Sequence, residues 1–301
     1  MRVFLTGAGG LLGSEVAREA RGLGWEVVAP SRAQVDVCDA PALVAAVGSA
    51  RPDAVVHCAA WTDVDGCESG RDRAFRVNAL GARNAALAAR RAGAKILFVS
   101  TDYVFDGAKD APYTEFDPVG PISVYGASKE AGERMVREQT PEHFILRVAW
   151  LYGRAGRSFP ATIAGLARRL AGEGRPLRVV ADQRGTPTWT RDVARQICTL
   201  LPTEAFGTLH ATAHGETTWH GFARRIVASL GIGVEVEPCT TEEFPRPAPR
   251  PRSSVLDNLC LRLQGLDVMR PWEEGWDEYV AETRRGGSPT PSAVAERRPV
   301  G

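Results

Sequence analysis

The chain has almost no excess of charge of either sign. Its 37 Lys and Arg stand against 36 Asp and Glu, a net charge of +1, with no basic block. That excludes the electrostatic footprint of a nucleic-acid partner. No apolar run approaches the roughly 18 residues a membrane span needs. The first strand pattern begins at Arg2, which leaves no room for a signal peptide. Cysteine is sparse: Cys38, Cys58, Cys67, Cys198, Cys239 and Cys260 form no Cys-x-x-Cys pair and no dense spacing. They read as reduced packing residues of a cytoplasmic protein, not as a disulfide framework. Only five histidines occur. Two of them, His210 and His214, fall where a strand pattern runs into a loop, so their four-residue spacing does not align two ligands, and no metal site is expected. What remains is ordinary: 301 residues, 44% hydrophobic and 24% charged. That suits one large or two modest globular domains, as a monomer or homodimer.

Apolar strands alternate with helical patterns over the first half. Strands are predicted at 2–6, 25–29, 54–58, 95–100 and 143–148, and helices at 11–22, 40–49, 71–92 and 123–138. This alternation implies an α/β fold, a doubly wound parallel sheet of Rossmann type with helices on both faces. Gly24 and Gly93 stand just past their helices, as C-terminal caps do. Beyond Gly153 the pattern loosens into a helix at 159–173, a strand near 177–181, helices at 192–201 and 219–231, and a proline-rich loop from Pro245 to Pro251. The expected organisation is a dinucleotide-binding domain over 1–153, to which segments from about 177–212 return. A smaller, discontinuous substrate-binding part covers 154–284, and a disordered tail covers 285–301.

The N-terminus reads strand, glycine turn, helix. Arg2-Val3-Phe4-Leu5-Thr6 is followed by Gly7-Ala8-Gly9-Gly10-Leu11-Leu12-Gly13 and a helical pattern through Arg21. A GxxGxxG spacing directly after a strand predicts a dinucleotide site. Gly7 allows the tight turn, Gly10 lets backbone N–H groups (with those of Leu11 and Leu12) approach a pyrophosphate, and Gly13 permits close helix–strand packing. After the second strand, Ala29-Pro30-Ser31-Arg32 lacks the acid that would bond the ribose 2′-OH of NAD. Ser31 and Arg32 suit a 2′-phosphate, so NADPH is the expected cofactor and NADH the alternative. A solvated Arg32 is the plainer reading. Small side chains at Ala59 and Ala60, ahead of Trp61 and Thr62, would let the adenosine diphosphate pass close to the sheet.

Two further stretches carry chemistry. Ser100-Thr101-Asp102 directly follows the apolar run ending at Val99, and ligands of open parallel sheets bind just beyond the carboxyl ends of strands. Thr101 is thus placed to hydrogen-bond a substrate carbonyl, or else to cap the next segment. Tyr125-Gly126-Ala127-Ser128-Lys129 puts a phenol and an ammonium on one helix face. A free Tyr titrates near ~10, and lowering it by about three units takes roughly 4 kcal/mol. One cation about 4 Å away at an effective dielectric near 20 supplies a similar amount. Lys129 is therefore expected to make Tyr125 a proton donor at neutral pH.

Together these pieces resemble the extended short-chain dehydrogenase/reductases and, more closely, the dTDP-4-dehydrorhamnose reductase family of nucleotide-sugar 4-ketoreductases. Further matches are Cys58-Ala59-Ala60-Trp61-Thr62-Asp63-Val64-Asp65, Leu146 to Gly153, Asp182-Gln183-Arg184-Gly185-Thr186-Pro187-Thr188 and Arg250 to Asn258. The resemblance runs from about residue 2 to 280. It implies hydride transfer from the dinucleotide to a sugar ketone, a proton from Tyr125, an oxyanion held by Thr101, and Lys129 on the cofactor ribose. It implies Asp36 and Val37 at the adenine, and Val99, Tyr125 and Lys129 within the cofactor set. For the substrate it implies Thr101, Asp102, Trp150, as a wall over the sugar ring, and Arg250 near the diphosphate. Core packing for Trp150 and a solvated loop position for Arg250 are the alternatives. Dehydratases of the superfamily usually follow Thr-Asp with a catalytic Glu. Here Tyr103 takes that place, which favours reduction over dehydration or epimerisation. A non-catalytic reading, resembling the regulatory beta subunit of methionine adenosyltransferase, competes; the intact Thr101, Tyr125 and Lys129 set tells against it.

Overall fold

The structure is a computed structural model and describes residues 1–285. In chain order the first half comprises β1 (Arg2–Thr6), α1 (Leu11–Gly22), β2 (Glu26–Val28), α2 (Ala40–Ala50), β3 (Ala54–His57), α3 (Val64–Ser69), α4 (Arg71–Phe75), α5 (Gly81–Ala92), β4 (Lys95–Thr101), α6 (Val124–Gln139) and β5 (His143–Val148). The second half comprises β6 (Leu151–Tyr152), α7 (Phe159–Gly172), β7 (Leu177–Val180), β8 (Arg184–Gly185), β9 (Thr188–Trp189), α8 (Thr190–Leu200), β10 (Gly207–His210), β11 (Thr217–Thr218), α9 (Trp219–Leu230), β12 (Val236–Cys239), α10 (Leu259–Leu263) and α11 (Trp272–Arg285).

Six strands form one sheet in the order β10-β5-β4-β3-β1-β2, and every pairing in it is parallel. Strand order reverses at β1, between β2 and β3, and the carboxyl ends there open a crevice, where this fold binds dinucleotides. Side chains alternate across the sheet with the period of two a strand imposes. Val3, Leu5, Val56, Leu97 and Leu146 join one core beneath α1 and α8. Phe4, Val55, Ile96, Phe98 and Ile145 join the opposite core beneath α2 and α5. Burial on both faces is why these strands read as continuous apolar runs.

A third core lies outside this sheet, where Ile163 and Leu170 of α7, Phe222 and Ile226 of α9, and Trp272, Trp276 and Tyr279 of α11 pack together. The 177–212 segment divides between the two bodies. Its α8 packs on α1 and its β10 extends the main sheet beside β5. Its β7, however, pairs with β12 away from the main sheet. At the C-terminus α11 runs through Arg285; the rest of the tail expected at 285–301 lies outside the described residues.

The single helix expected over 71–92 is interrupted. Between α4 and α5 the Arg76–Leu80 segment is a π-helical turn, and α3 ahead of it begins on an Asp63 carboxylate that accepts from Gly66 N (3.1 Å). The wide turn carries the fully buried Asn78. Its side chain accepts from Trp61 N (2.8 Å) and donates to Trp61 O (3.1 Å) and Ser128 Oγ (2.9 Å). One amide thus ties the loop after β3 to the helix that bears Tyr125. π-turns recur at functional positions for this kind of reason.

Candidate active site

The glycine turn has the geometry its spacing predicts. Gly7 has φ of 73°, and a Cβ there would stand 2.7 Å from Ala59 N; a Cβ on Gly13 would stand 2.2 Å from Gly7 O. Both positions therefore require glycine. Gly10 precedes α1, which has neither a side-chain cap nor an acid in its first turn. Its first N–H groups and the helix dipole suit an anion. A cavity of about 370 Å³ opens over this turn, lined by Gly7, Gly10, Ser31, Arg32, Asp36, Val37, Ala59 and Ala60 among others. Leu11, Leu12, Gly13 and Trp61 are not among its lining residues; the Trp61 ring receives the Arg73 guanidinium at 4.3 Å. An anionic dinucleotide fits the bare helix end, the Cβ-free turn and the Arg32 cation. Asp36 faces the same cavity with its carboxylate on Cys38 N (2.9 Å). This bond and the nearby Arg32 and Arg76 charges keep its pKa below the usual carboxylate value.

A second cavity, of about 420 Å³, brings together Thr62, Thr101, Asp102, Tyr103, Tyr125 and Trp150. Thr62 stands two residues along the chain from Ala60, so one loop serves both cavities. Ser123 caps α6 by accepting from Gly126 N (3.1 Å). A Cβ on Gly126 would meet Tyr103 O at 2.1 Å, so glycine inside the Tyr-x-x-x-Lys motif is what lets this helix close on the 101–104 turn. Of the two uses weighed for Thr101, the structure shows the cap. Its Oγ1 accepts from Tyr103 N (3.3 Å), capping the turn, and donates to Asp102 Oδ1 (2.9 Å).

The electrostatics differ from the expected pairing of Lys129 with Tyr125. Lys129 Nζ donates to Val99 O (2.6 Å) and lies 4.0 Å from the Phe98 ring centre. Burial pulls its pKa down to about 7, with Glu133 opposing. The Tyr125 phenol is instead raised above its usual value by burial, the Thr101 hydrogen bond working against that. A shared helix face aligns Cβ atoms, but a four-carbon stem chooses its own partner, here the carbonyl at the end of β4. The consequence is a neutral phenol that keeps its proton.

Asp102 is buried, and its Oδ2 has no partner. Burial raises its pKa to about 6, against hydrogen bonds from Ser254 and Thr101. The folded value lies above the unfolded one, so the native state binds more protons in between, and stability falls as pH rises from about 4 to about 6. Asp102→Asn should accordingly melt higher than the wild type at pH 7, by on the order of 2 kcal/mol of stability, with the gap closing below about pH 4. Equal melting temperatures across that range would show that the carboxylate is not held at a cost.

Arg250 lines neither cavity. Its guanidinium donates to Asp65 Oδ1 (2.8 Å) and Ala248 O (2.7 Å), pinning the proline-rich segment onto α3. Sequence reasoning used Tyr103 only as the absence of a Glu; the structure sets its ring 5.8 Å from that of Tyr125, edge to face. It also missed Arg157, Ser158, Phe159, Thr162 and Trp219 in the same cavity, which come from parts of the chain without a motif. Among the described residues no cluster of three or more His, Cys, Asp or Glu comes together, and no helix is long and apolar enough to cross a membrane.

The parallel sheet with its glycine turn, joined to a Thr, Tyr and Lys set at the strand ends, defines an extended short-chain dehydrogenase/reductase. The family model described as "RmlD substrate binding domain" matches residues 1–285. A dTDP-4-dehydrorhamnose reductase from Streptomyces griseus is 42% identical over 298 residues, covering 96% of this chain and 97% of that protein. Among solved structures, the dTDP-4-dehydrorhamnose reductase of Clostridium acetobutylicum superposes with a TM-score of 0.91 at 42% identity, over 94% of this chain and 100% of that one. The Bacillus anthracis dTDP-4-dehydrorhamnose reductase, solved in complex with NADP, gives 0.89 at 40% identity, over 94% and 99%. The chain belongs to the dTDP-4-dehydrorhamnose reductase family.

Proposed function

We propose that this chain is an NADPH-dependent reductase of the 4-keto group of a dTDP-4-keto-6-deoxy sugar. The observation that carries the reading is the single cavity that gathers Thr101, Asp102, Tyr103, Tyr125 and Trp150 beside a glycine-turn cavity suited to a dinucleotide. When bound, the reduced dinucleotide supplies hydride to the ketone carbon. Tyr125, held neutral by burial, gives its proton to the ketone oxygen. Thr101, whose proton goes to Asp102 Oδ1 in this structure, turns it to the same oxygen as charge develops there and stabilises that charge. Lys129, anchored on Val99 O, holds the cofactor ribose beside Tyr125. Gly7, Gly10, Leu11, Leu12 and Gly13 bind the pyrophosphate; Ser31 and Arg32 bind the 2′-phosphate; Asp36, Val37, Ala59, Ala60, Trp61 and Thr62 border the adenosine side. In this reading residues 1–153, with α8 and β10, hold the cofactor. The 154–284 part holds the nucleotide sugar. In this reading the protein works in the cytoplasm as a monomer or homodimer.

Given NADPH and a dTDP-4-keto-6-deoxy-L-sugar, the purified protein should consume nicotinamide absorbance and form the 4-hydroxy nucleotide sugar. The free sugar should react far more poorly, because binding energy from the remote nucleotide positions the ketone. No cofactor oxidation with any of a panel of 4-keto nucleotide sugars, despite measurable NADPH binding, would sink the reading.

Cofactor choice is tested separately. Arg32 has no ion-pair partner among the described residues. Its replacement by Ala should weaken NADPH about 10- to 100-fold, the worth of a charge-assisted hydrogen bond to phosphate, and NADH little. An unchanged NADPH/NADH ratio would remove Arg32 from the site.

A further inference from the structure

Trp150 holds a backbone conformation that a bulky residue rarely adopts. Its φ is 44°, and only Arg51 shares a positive φ among the described non-glycine residues. Such a conformation persists where the surroundings over-determine it, and it clusters at functional sites. Here four contacts do so. Trp150 O accepts from Thr188 N (3.2 Å), and Nε1 donates to Ser254 Oγ (3.1 Å). The ring lies against Gly185, where a Cβ would stand 2.1 Å from Trp150 Cε2. The ring also stacks on Trp219, with centroids 3.4 Å apart and planes 4° from parallel.

The last contact is unusual in kind. Aromatic pairs left to themselves prefer offset or edge-to-face arrangements to a full sandwich, so this overlap is imposed from outside. Thr217 pairs with Gly185 in the β11–β8 ladder, and Trp219 follows two residues later as the first residue of α9. Thr218 caps that helix by accepting from Gly221 N (3.0 Å). The short ladder that carries the seat, Gly185, therefore also places the stacking partner. Phe159 backs Trp219 at 4.4 Å. Trp150, Leu151, Phe159 and Trp219 form the apolar side of the cavity that holds Thr101 and Tyr125.

We infer that Trp219 is a positioning residue for the substrate: its stack on Trp150, seated on Gly185, sets the apolar wall that aligns the sugar ring with Tyr125. The inference rests on the reductase reading. Trp150 alone, on a strained backbone, has other orientations open to it; with Trp219 and Gly185 in place the wall is rigid before substrate arrives. A wall misplaced by about 1 Å can cost on the order of 100-fold in rate.

The test compares wild type with Trp219→Ala, Trp219→Phe and Gly185→Ala. It reads steady-state kinetics with a dTDP-4-keto-6-deoxy sugar, affinity for the dTDP-6-deoxyhexose product, NADPH affinity, and the exciton circular-dichroism couplet of stacked indoles. Wild type should show the couplet and both Trp219 variants should lack it. Trp219→Ala should lose about 10- to 100-fold in kcat/KM and bind product more weakly, with NADPH affinity unchanged. Trp219→Phe, which keeps a stacking face, should recover most of the loss, and Gly185→Ala should resemble Trp219→Ala. A wild type without the couplet overturns the inference. So does a Trp219→Ala protein that keeps kcat/KM and product affinity, or one that loses NADPH affinity in step. A wild type that binds product but reduces no 4-keto sugar fails the reductase reading alone, and product affinity in the variants then decides the role of Trp219.

Discussion

Tyr125→Phe is expected to lower reductive turnover by about 10²–10⁴-fold, the usual worth of a general acid, and to leave NADPH affinity intact. The substitution removes one oxygen from a ring whose place is set elsewhere. The Ser123 cap and the approach of Gly126 to Tyr103 hold the helix, and neither involves the phenol. Because burial raises the phenol's pKa, Tyr125 is protonated across the neutral range. Its own ionisation should therefore not shape the pH–rate profile near pH 7. A loss below about tenfold in the chemical step, measured in a single turnover, would take Tyr125 out of the mechanism.

The largest effect on stability should come from Glu133, one helical turn beyond Lys129. Its buried carboxylate accepts from Ser100 Oγ (2.6 Å), Arg147 Nε (2.9 Å), Arg147 Nη2 (2.8 Å) and Arg137 Nη2 (2.9 Å). Arg147 is itself buried, its guanidinium 5.1 Å from the Phe105 ring centre. Glu133→Ala would leave that cation without its anion inside the protein. Breaking a buried pair this way costs about 3–5 kcal/mol, or roughly 5–8 °C in melting temperature at about 2.1 cal/mol/K of unfolding entropy per residue. Replacing both partners, as Glu133→Leu with Arg147→Met, should restore most of the loss, since apolar substitutes of similar volume often match a buried pair. A single variant that melts within about 2 °C of wild type would show that solvent reaches Arg147. The pair joins β4 one residue before Thr101 to α6 and β5, so the network that holds the site together also holds the fold.

How far the sequence could be read depended on how local the cause was. The five strands read from the first half fall within a residue of their observed ends, because all but the edge strand β2 are short apolar runs buried on both faces. The glycine turn was legible because the positive φ of Gly7 and the approach of Gly13 to Gly7 O arise within the motif, although the crowding of Gly7 against Ala59 comes from far along the chain. The π-turn at Arg76–Leu80 was not legible. Its π-helical course suits Asn78, which bonds to Trp61 and Ser128 far along the chain, and residues 71–92 alone look like one helix. The strand at 177–180 was found, but its partner was not: pairing with β12 depends on where 236–239 arrives.

The site divides along the same line. The sequence by itself determined the parallel sheet and singled out the glycine turn and Thr101, Tyr125 and Lys129, because each is written in residues close together along the chain. Only the tertiary structure decided what those groups face. It turned Lys129 to the Val99 carbonyl, left Tyr125 with a raised pKa, tied Arg250 to Asp65, and brought Trp219 onto Trp150 from 69 positions away. Burial and charge pairing act through space at a few ångströms, between segments whose separation along the chain carries no sign of their meeting.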